Sequence, residues 1–201
     1  QTDKDGNLII LYAQNKDEQY TYIESAKEKG YEVLLLDSPI IPHLMQKLES
    51  KKEKIKFSRV DSDTLENLIK KDEEVISKLT DEEKEKLKPM IETAVENEKY
   101  TVQLEALDSN SMPFMLAQPE FMRRMKEMQQ TGGGAMGNLP DMYSLIVNTN
   151  HELVGKILNT RTEKKRNSLI KQSIDLAKLS QNNLTGKDLT EFINRSIDLI
   201  K

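Results

Sequence analysis

The chain has no cysteine, no tryptophan, and only two histidines and four phenylalanines among its 201 residues. Without cysteine there is no disulfide framework, no thiol nucleophile and no cysteine-ligated metal, a composition that suits a reducing compartment. His43 and His151 lie far apart in the chain, so neither has a histidine partner at metal-ligand spacing. No apolar run approaches the roughly 18 residues of a membrane span, and the first residues carry no signal-peptide pattern. A glycine-rich phosphate loop is missing too: the first apolar strand runs into Ala13-Gln14-Asn15-Lys16, which leaves a nucleotide fold unsupported. What the chain does have is charge. Charged residues make up 32%, the net charge is -4 and the mean hydropathy is -0.66, the profile of a hydrated, helix-rich protein. That sign argues against general nucleic-acid binding, and the clusters Lys51-Lys52-Lys54 and Lys164-Lys165-Arg166 read as solvated faces. Opening on Gln1 rather than methionine, the chain reads as a piece of a longer protein.

The first seventy or so residues alternate strand and helix. Residues 8–12 (LIILY) and 31–36 (YEVLLL) are apolar strands, the second continuous enough to be covered on both faces. Between them, residues 17–29 form a helix with Tyr20, Ile23 and Ala26 on one side and Gly30 closing it. Short strand-helix-strand connections predict a right-handed parallel crossover. Residues 40–48 give a helix burying Leu44, Met45 and Leu48, residues 54–60 a peripheral strand, and residues 63–70 a short helix. Asp37, at the end of the second strand, occupies the end of an open α/β sheet where ligands bind, but it also suits capping of the turn before Pro39. An α/β enzyme using Asp37 and His43 would need a pocket and perturbed pKa values around both.

The next stretch is a charged helical connection. Thr80 with Glu83 forms a capping box, and Asp81, Glu82 and Glu83 load the first turn with the sign the helix dipole favours. Pro89 is expected to break or restart that helix. Its many carboxylates alternate with lysines and have no apolar pocket, so they read as solvated i,i+4 partners rather than a catalytic pair. Residues 100–107 (YTVQLEAL) alternate as a half-buried strand, and 144–148 (SLIVN) is a second, with antiparallel pairing the economical topology. His151 stands at the start of a helix over residues 151–158, where capping is its role.

Two stretches carry candidate function. Residues 111–128 (SMPFMLAQPEFMRRMKEM) begin with an apolar run, Met112, Phe114, Met115 and Leu116, interrupted by Pro113. From Pro119 onward Phe121, Met122, Met125 and Met128 recur at helical spacing, with Arg123, Arg124, Lys126 and Glu127 on the other positions. Methionine is unbranched and polarizable, so such a stripe moulds itself to many partners; packing into its own core is the competing reading. The following TGGGAMGN, residues 131–138, leaves the helix semi-detached. In the last forty residues, Leu169, Ile170, Ile174 and Ala177 line one helix. Leu189, Phe192, Ile193, Ile197 and Ile200 line a second, opened by Thr185 and Asp188 in a capping-box pattern. Such a hairpin either packs on the small sheet of its own domain or pairs with a second copy in a two-fold four-helix bundle.

Read together, YIESAKEKGYEVLLLDSPI at residues 22–40, VQLEALDSNSMPFML with QPEFMRRMKEM across residues 102–128, and the closing two-helix element resemble the C-terminal half of a bacterial member of the Hsp90 chaperone family. The resemblance spans essentially the whole chain and rests on long runs in order rather than on a catalytic motif. It implies an α+β protein in three parts. Residues 1–71 are a small α/β/α subdomain ending the family's middle domain, 72–98 the charged helical connection, and 99–201 a mixed α/β dimerisation domain. That last part carries an exposed amphipathic helix over 119–129 and ends in a hairpin that forms a four-helix bundle in the dimer. By the same resemblance the parent is a cytoplasmic, stress-response, ATP-dependent homodimer acting on non-native proteins and working with another chaperone system, without membrane or nucleic-acid partners. ATP and magnesium are bound by parts of the family fold outside this chain, which holds no catalytic, cofactor or metal site of its own. Client contact falls on Met112, Phe114, Met115, Leu116, Phe121, Met122, Met125 and Met128. Dimerisation falls on Leu169, Ile170, Ile174, Ala177, Leu189, Phe192, Ile193, Ile197 and Ile200. A purely structural dimeriser with a buried methionine stripe is the alternative.

Overall fold

A computed structural model describes residues 1–72, 75–95, 100–132 and 142–200. Of the glycine-rich stretch read as a tether, residues 133–138 lie outside the described residues. The architecture is α+β, and the backbone forms two compact units: Gln1–Glu74 with Ala117–Met142, and Val75–Leu116 with Tyr143–Lys201. The methionine-rich helix, placed by sequence in the dimerisation domain, thus belongs to the first unit.

In the first unit β1 (Leu8–Ala13), α1 (Tyr20–Glu28), β2 (Val33–Leu35), α2 (Ile41–Lys51) and β3 (Ile55–Arg59) follow one another, with the short α3 (Leu65–Leu68) behind them. The sheet has the order β2-β1-β3 and both pairings are parallel, as short strand-helix-strand connections require. Strand alternation sends Ile10 and Tyr12 to one face, where they pack with Met45 and Leu48 of α2 and with Ile55 and Phe57 of β3. Ile9, Leu11 and Ala13 point the other way and are also buried. Gly30 ends α1 at φ +76°, a left-handed conformation that glycine adopts without Cβ strain. Three expectations fail locally. Leu34 and Leu35 are exposed, because β2 is a three-residue edge strand paired on one side only. In α2 the buried positions are Pro42 and Met45 while Leu44 faces out. In α1 Tyr22 takes the buried place expected for Tyr20.

The second unit opens with α4 (Asp81–Val95). Its capping box is formed as the sequence reads: Thr80 N donates to Glu83 Oε2 at 2.9 Å and Glu83 N to Thr80 Oγ1 at 3.3 Å. Pro89 lies inside α4 without breaking it. A proline forfeits one backbone bond and strains the turn before it, and the burial of Leu87 and Ile91 on either side holds the helix through that defect. Strand β4 (Tyr100–Glu105) pairs with the later β6 (Tyr143–Asn148) in parallel, not antiparallel, from Tyr100 opposite Tyr143 to Glu105 opposite Asn148. The intervening excursion is long enough to return the chain to the end where β4 began, which a parallel crossover needs. Part of that excursion is itself a strand, β5 (Phe114–Ala117), giving the order β4-β6-β5. Helices α6 (Glu152–Asn159), α7 (Glu163–Ser180) and α8 (Gly186–Ile200) complete the unit. His151 caps α6, its Nδ1 accepting Leu153 N–H at 3.0 Å. Leu87 and Ile91 of α4, Val102, Leu145 and Val147 of the sheet, Val154 and Ile157 of α6, and Ile170, Ile174 and Ala177 of α7 form one core.

Candidate functional site

The helix singled out by its methionines, α5 (Glu120–Gly132), is anchored to the first unit by its charged side. Glu120, Arg123, Arg124 and Glu127 recur at i, i+3, i+4 and i+7, so they form one stripe. That stripe meets the carboxyl ends of β1 and β3, where Tyr12 and Arg59 stand opposite each other in register. Tyr12 Oη donates to Glu120 Oε1 at 2.8 Å, and the same oxygen receives Arg123 Nη2 at 2.6 Å and Arg124 Nε at 2.7 Å. Arg123 also donates to Tyr12 Oη and to Glu127, with its guanidinium carbon 5.6 Å from the Tyr12 ring centroid. Arg124 reaches α2 and β3, donating to Glu49 Oε2 at 2.8 Å and to the Phe57 carbonyl at 2.6 Å. Arg59 completes the cluster through Gln14 Oε1 at 2.9 Å and Asp61 Oδ1 at 2.5 Å.

The electrostatics follow from this packing. Arg123 is only 4% exposed, and burial alone would disfavour its charge; Glu120 and the Tyr12 hydroxyl outweigh that and hold it protonated. Burial likewise opposes ionisation of Glu120, but Arg123 and Arg124 bring its carboxyl below the ordinary range. Burial first, then the Glu120 charge, push the Tyr12 phenol well above its ordinary value. Glu120 also sits in the first turn of α5, where the helix dipole favours an anion. The semi-detached helix expected from the sequence is therefore a docked one. On its other positions Phe121 is 70% exposed, and Met122, Met125 and Met128 are half-buried. The upstream apolar run is divided by strand alternation. Phe114 and Leu116 lie in the core of the second unit, contrary to an open client surface at those positions, while Met112 and Met115 are half-buried. Pro113, read as a breaker, serves that strand instead by accepting Asn148 N–H at 2.9 Å.

The terminal hairpin sorts its apolar residues in two. Ile170, Ile174 and Ala177 belong to the core of their own unit, Phe192 is buried, and Leu169 and Leu189 are half-buried. Left exposed are Ile193 and Ile197 at 47% each and Ile200 at 85%, together with Leu176 and Leu179 of α7. Arg195 of α8 pairs with Asp175 of α7, and Gln172 Nε2 donates to Ser196 Oγ at 2.9 Å, so polar bonds fix the two helices to each other. Burial pushes the Asp175 carboxyl upward, and Lys178 and Arg195 offset this only in part.

Asp37 and His43 are both exposed, without the desolvated surroundings that acid–base chemistry uses. Among the described residues no group of three or more His, Cys, Asp or Glu side chains is placed to hold a metal ion, and no helix is long and apolar enough to cross a membrane.

Comparison with known proteins places these two surfaces in a context. No protein-family model matches the chain. The chaperone protein HtpG of Bacteroides thetaiotaomicron is 36% identical over the whole of this chain and 40% of its own length. The HtpG of Porphyromonas gingivalis is 41% identical over 89% of this chain and 27% of its own length, and that of Bacteroides fragilis strain 638R is 35% identical over the whole of this chain. The chain is homologous to the bacterial HtpG chaperones of the Hsp90 family. It spans about 40% of the length of the Bacteroides HtpG relatives. The match to the first of these runs over 269 positions against the 201 residues present here, so that HtpG carries added segments without a counterpart in this chain. Both the helix α5 and the hairpin α7–α8 fall inside the matched region, which covers this chain completely.

Proposed function

We propose that this chain is the homodimerisation and client-binding part of an ATP-dependent, stress-response chaperone of the Hsp90 type that assists non-native proteins in the cytoplasm. The observation that carries the reading is HtpG homology over the full chain, joined to apolar residues left uncovered at two places, on α5 and on α7–α8. In this reading Leu176, Leu179, Ile193, Ile197 and Ile200 close a helical seam with a second copy, and the buried residues Ile170, Ile174 and Ala177 support that seam from inside their own unit. Phe121, Met122, Met125 and Met128 touch the client. ATP and magnesium act in parts of the longer protein, and this chain contributes no residue to their site. Two copies joined at the seam present two weak apolar contacts to one non-native chain, and effective concentration makes the pair hold where one would not.

Half-burial of Met122, Met125 and Met128 supports a second reading, a dimerisation module whose methionine stripe is structural. Changing Met122 and Met125 together to serine separates the two. Loss of aggregation suppression toward reduced lysozyme, with the unfolding midpoint retained, is the expected result. Unfolding of the variant, or full suppression by a folded one, overturns the client assignment.

A further inference from the structure

We infer that Arg123 is a positioning residue, whose buried ion cluster docks α5 with its charged stripe inward and so fixes its apolar side outward. An amphipathic helix ordinarily buries its apolar stripe. Here the order is inverted: Arg123 is among the most buried residues of α5 at 4% exposure, while Phe121 is 70% exposed. Helical geometry sets Phe121, Met125 and Met128, at i, i+4 and i+7, on a flank centred roughly 120° around the helix from the Glu120, Arg123, Arg124 and Glu127 stripe.

The receiving surface explains the inversion. In the order β2-β1-β3 the chain leaves β1 toward one side and then crosses to the other, and the crevice beyond the carboxyl ends of such neighbouring strands is where open α/β sheets take a ligand. Tyr12, Gln14 and Arg59 line it, and Glu120 and Glu127 of α5 meet them there. Tyr12 Oη donates to Glu120 at 2.8 Å, Gln14 Nε2 to Glu127 Oε2 at 3.4 Å, and Arg59 Nη1 lies 3.9 Å from Glu127 Oε1. The crevice is filled by the chain's own helix, with Arg123 at its centre between Tyr12, Glu120 and Glu127. Turning the helix over would put four charged side chains into solvent and leave Tyr12 buried without its partner. A buried charge is held to one geometry by its partners, and this makes the cluster a selector of orientation. The use of the outward side rests on the client-contact reading; the docking does not.

The test uses the 201-residue chain with Arg123→Met, Arg123→Lys and Tyr12→Phe variants. Amide hydrogen exchange is followed over residues 120–129 against the amides of β1. Arg123→Met should speed exchange in α5 at least about tenfold with β1 unchanged, and Arg123→Lys should recover part of the protection. Tyr12→Phe removes one hydroxyl from an otherwise intact strand and should loosen α5 severalfold, so the inference stays open to refutation if Arg123→Met unfolds. Exchange within twofold of wild type in a folded Arg123→Met, or in Tyr12→Phe, overturns it. The client reading fails separately: a Met125→Ser chain that keeps slow α5 exchange and holds reduced lysozyme fully would refute client contact and leave the positioning role intact.

Discussion

Replacing Ile193 and Ile197 together by aspartate is the sharpest perturbation of the proposed seam. Both side chains are 47% exposed in the single chain, so the substitution touches half-open positions and should leave the unit folded, unlike a change at the fully buried Ile170. Burying an isoleucine or leucine completely stabilises by ~2 kcal/mol. Half-exposed Ile193, Ile197, Leu176 and Leu179 can thus gain ~1 kcal/mol each on association and the more open Ile200 ~2 kcal/mol. Two copies together gain ~12 kcal/mol gross, against an association cost of ~4–15 kcal/mol. The seam is therefore poised, and small losses are decisive. The double substitution removes ~4 kcal/mol per dimer before any carboxylate desolvation, which raises Kd by at least ~1000-fold. Sedimentation equilibrium should give the wild type a mass near twice 23.1 kDa at concentrations where the variant stays at the single-chain value. A folded variant whose Kd lies within tenfold of wild type would refute the seam. A wild type that remains single at every concentration would refute dimerisation by this chain.

Two further outcomes follow from buried groups. Leu87→Ala empties a fully buried position in the core shared by α4, the second sheet, α6 and α7, and should destabilise that unit by ~2–5 kcal/mol, read as an earlier urea midpoint on amide signals of β6 and α7. Glu120→Gln should cost the first unit ~2 kcal/mol at neutral pH, since charge-assisted bonds to Arg123 and Arg124 are weakened. Its pH dependence has a definite sign. The folded carboxyl lies below its ordinary value of 4.5, so its stabilisation is present above that pH and is lost as pH falls through the folded value. The urea-midpoint gap between wild type and Glu120→Gln should accordingly narrow in acid; a gap unchanged down to pH 3 would show that the ion pairs contribute nothing.

Local chemistry was legible in the chain and non-local pairing was not. The parallel β1-α1-β2 crossover, the Thr80–Glu83 box and the His151 cap follow from neighbours a few residues apart, and each stands where the sequence places it. The parallel β4–β6 pairing had no local signal, because strands separated by a long excursion satisfy either direction with the same alternation. β5 was disguised by Pro113, which reads as a breaker yet precedes a four-residue strand. Pro89 misled in the opposite sense, since burial of Leu87 and Ile91 outweighs the lost backbone bond.

The instructive case is α5. Periodicity identified the helix and both of its stripes, and the apolar one was read as a contact surface on a semi-detached helix, with core packing as the competing reading. Neither reading has the charged stripe dock the helix. At the end of the first sheet the surface offered is the Tyr12 hydroxyl, the Gln14 amide and the Arg59 guanidinium, partners that only charged or hydrogen-bonding side chains satisfy. A signal for this was present: Glu120 and Glu127 bracket Arg123 and Arg124 at i, i+3, i+4 and i+7, so each charge has opposite ones three and four residues away, a stripe more regular than solvation requires. Tyr12 was the second clue, since a tyrosine closing an otherwise aliphatic strand, LIILY, carries a hydroxyl that burial obliges to find a partner. A helix held by its charges can keep methionines at its surface without relying on them for its own docking. Substitutions along Phe121, Met122 and Met125 can then change what the helix touches without changing where it sits.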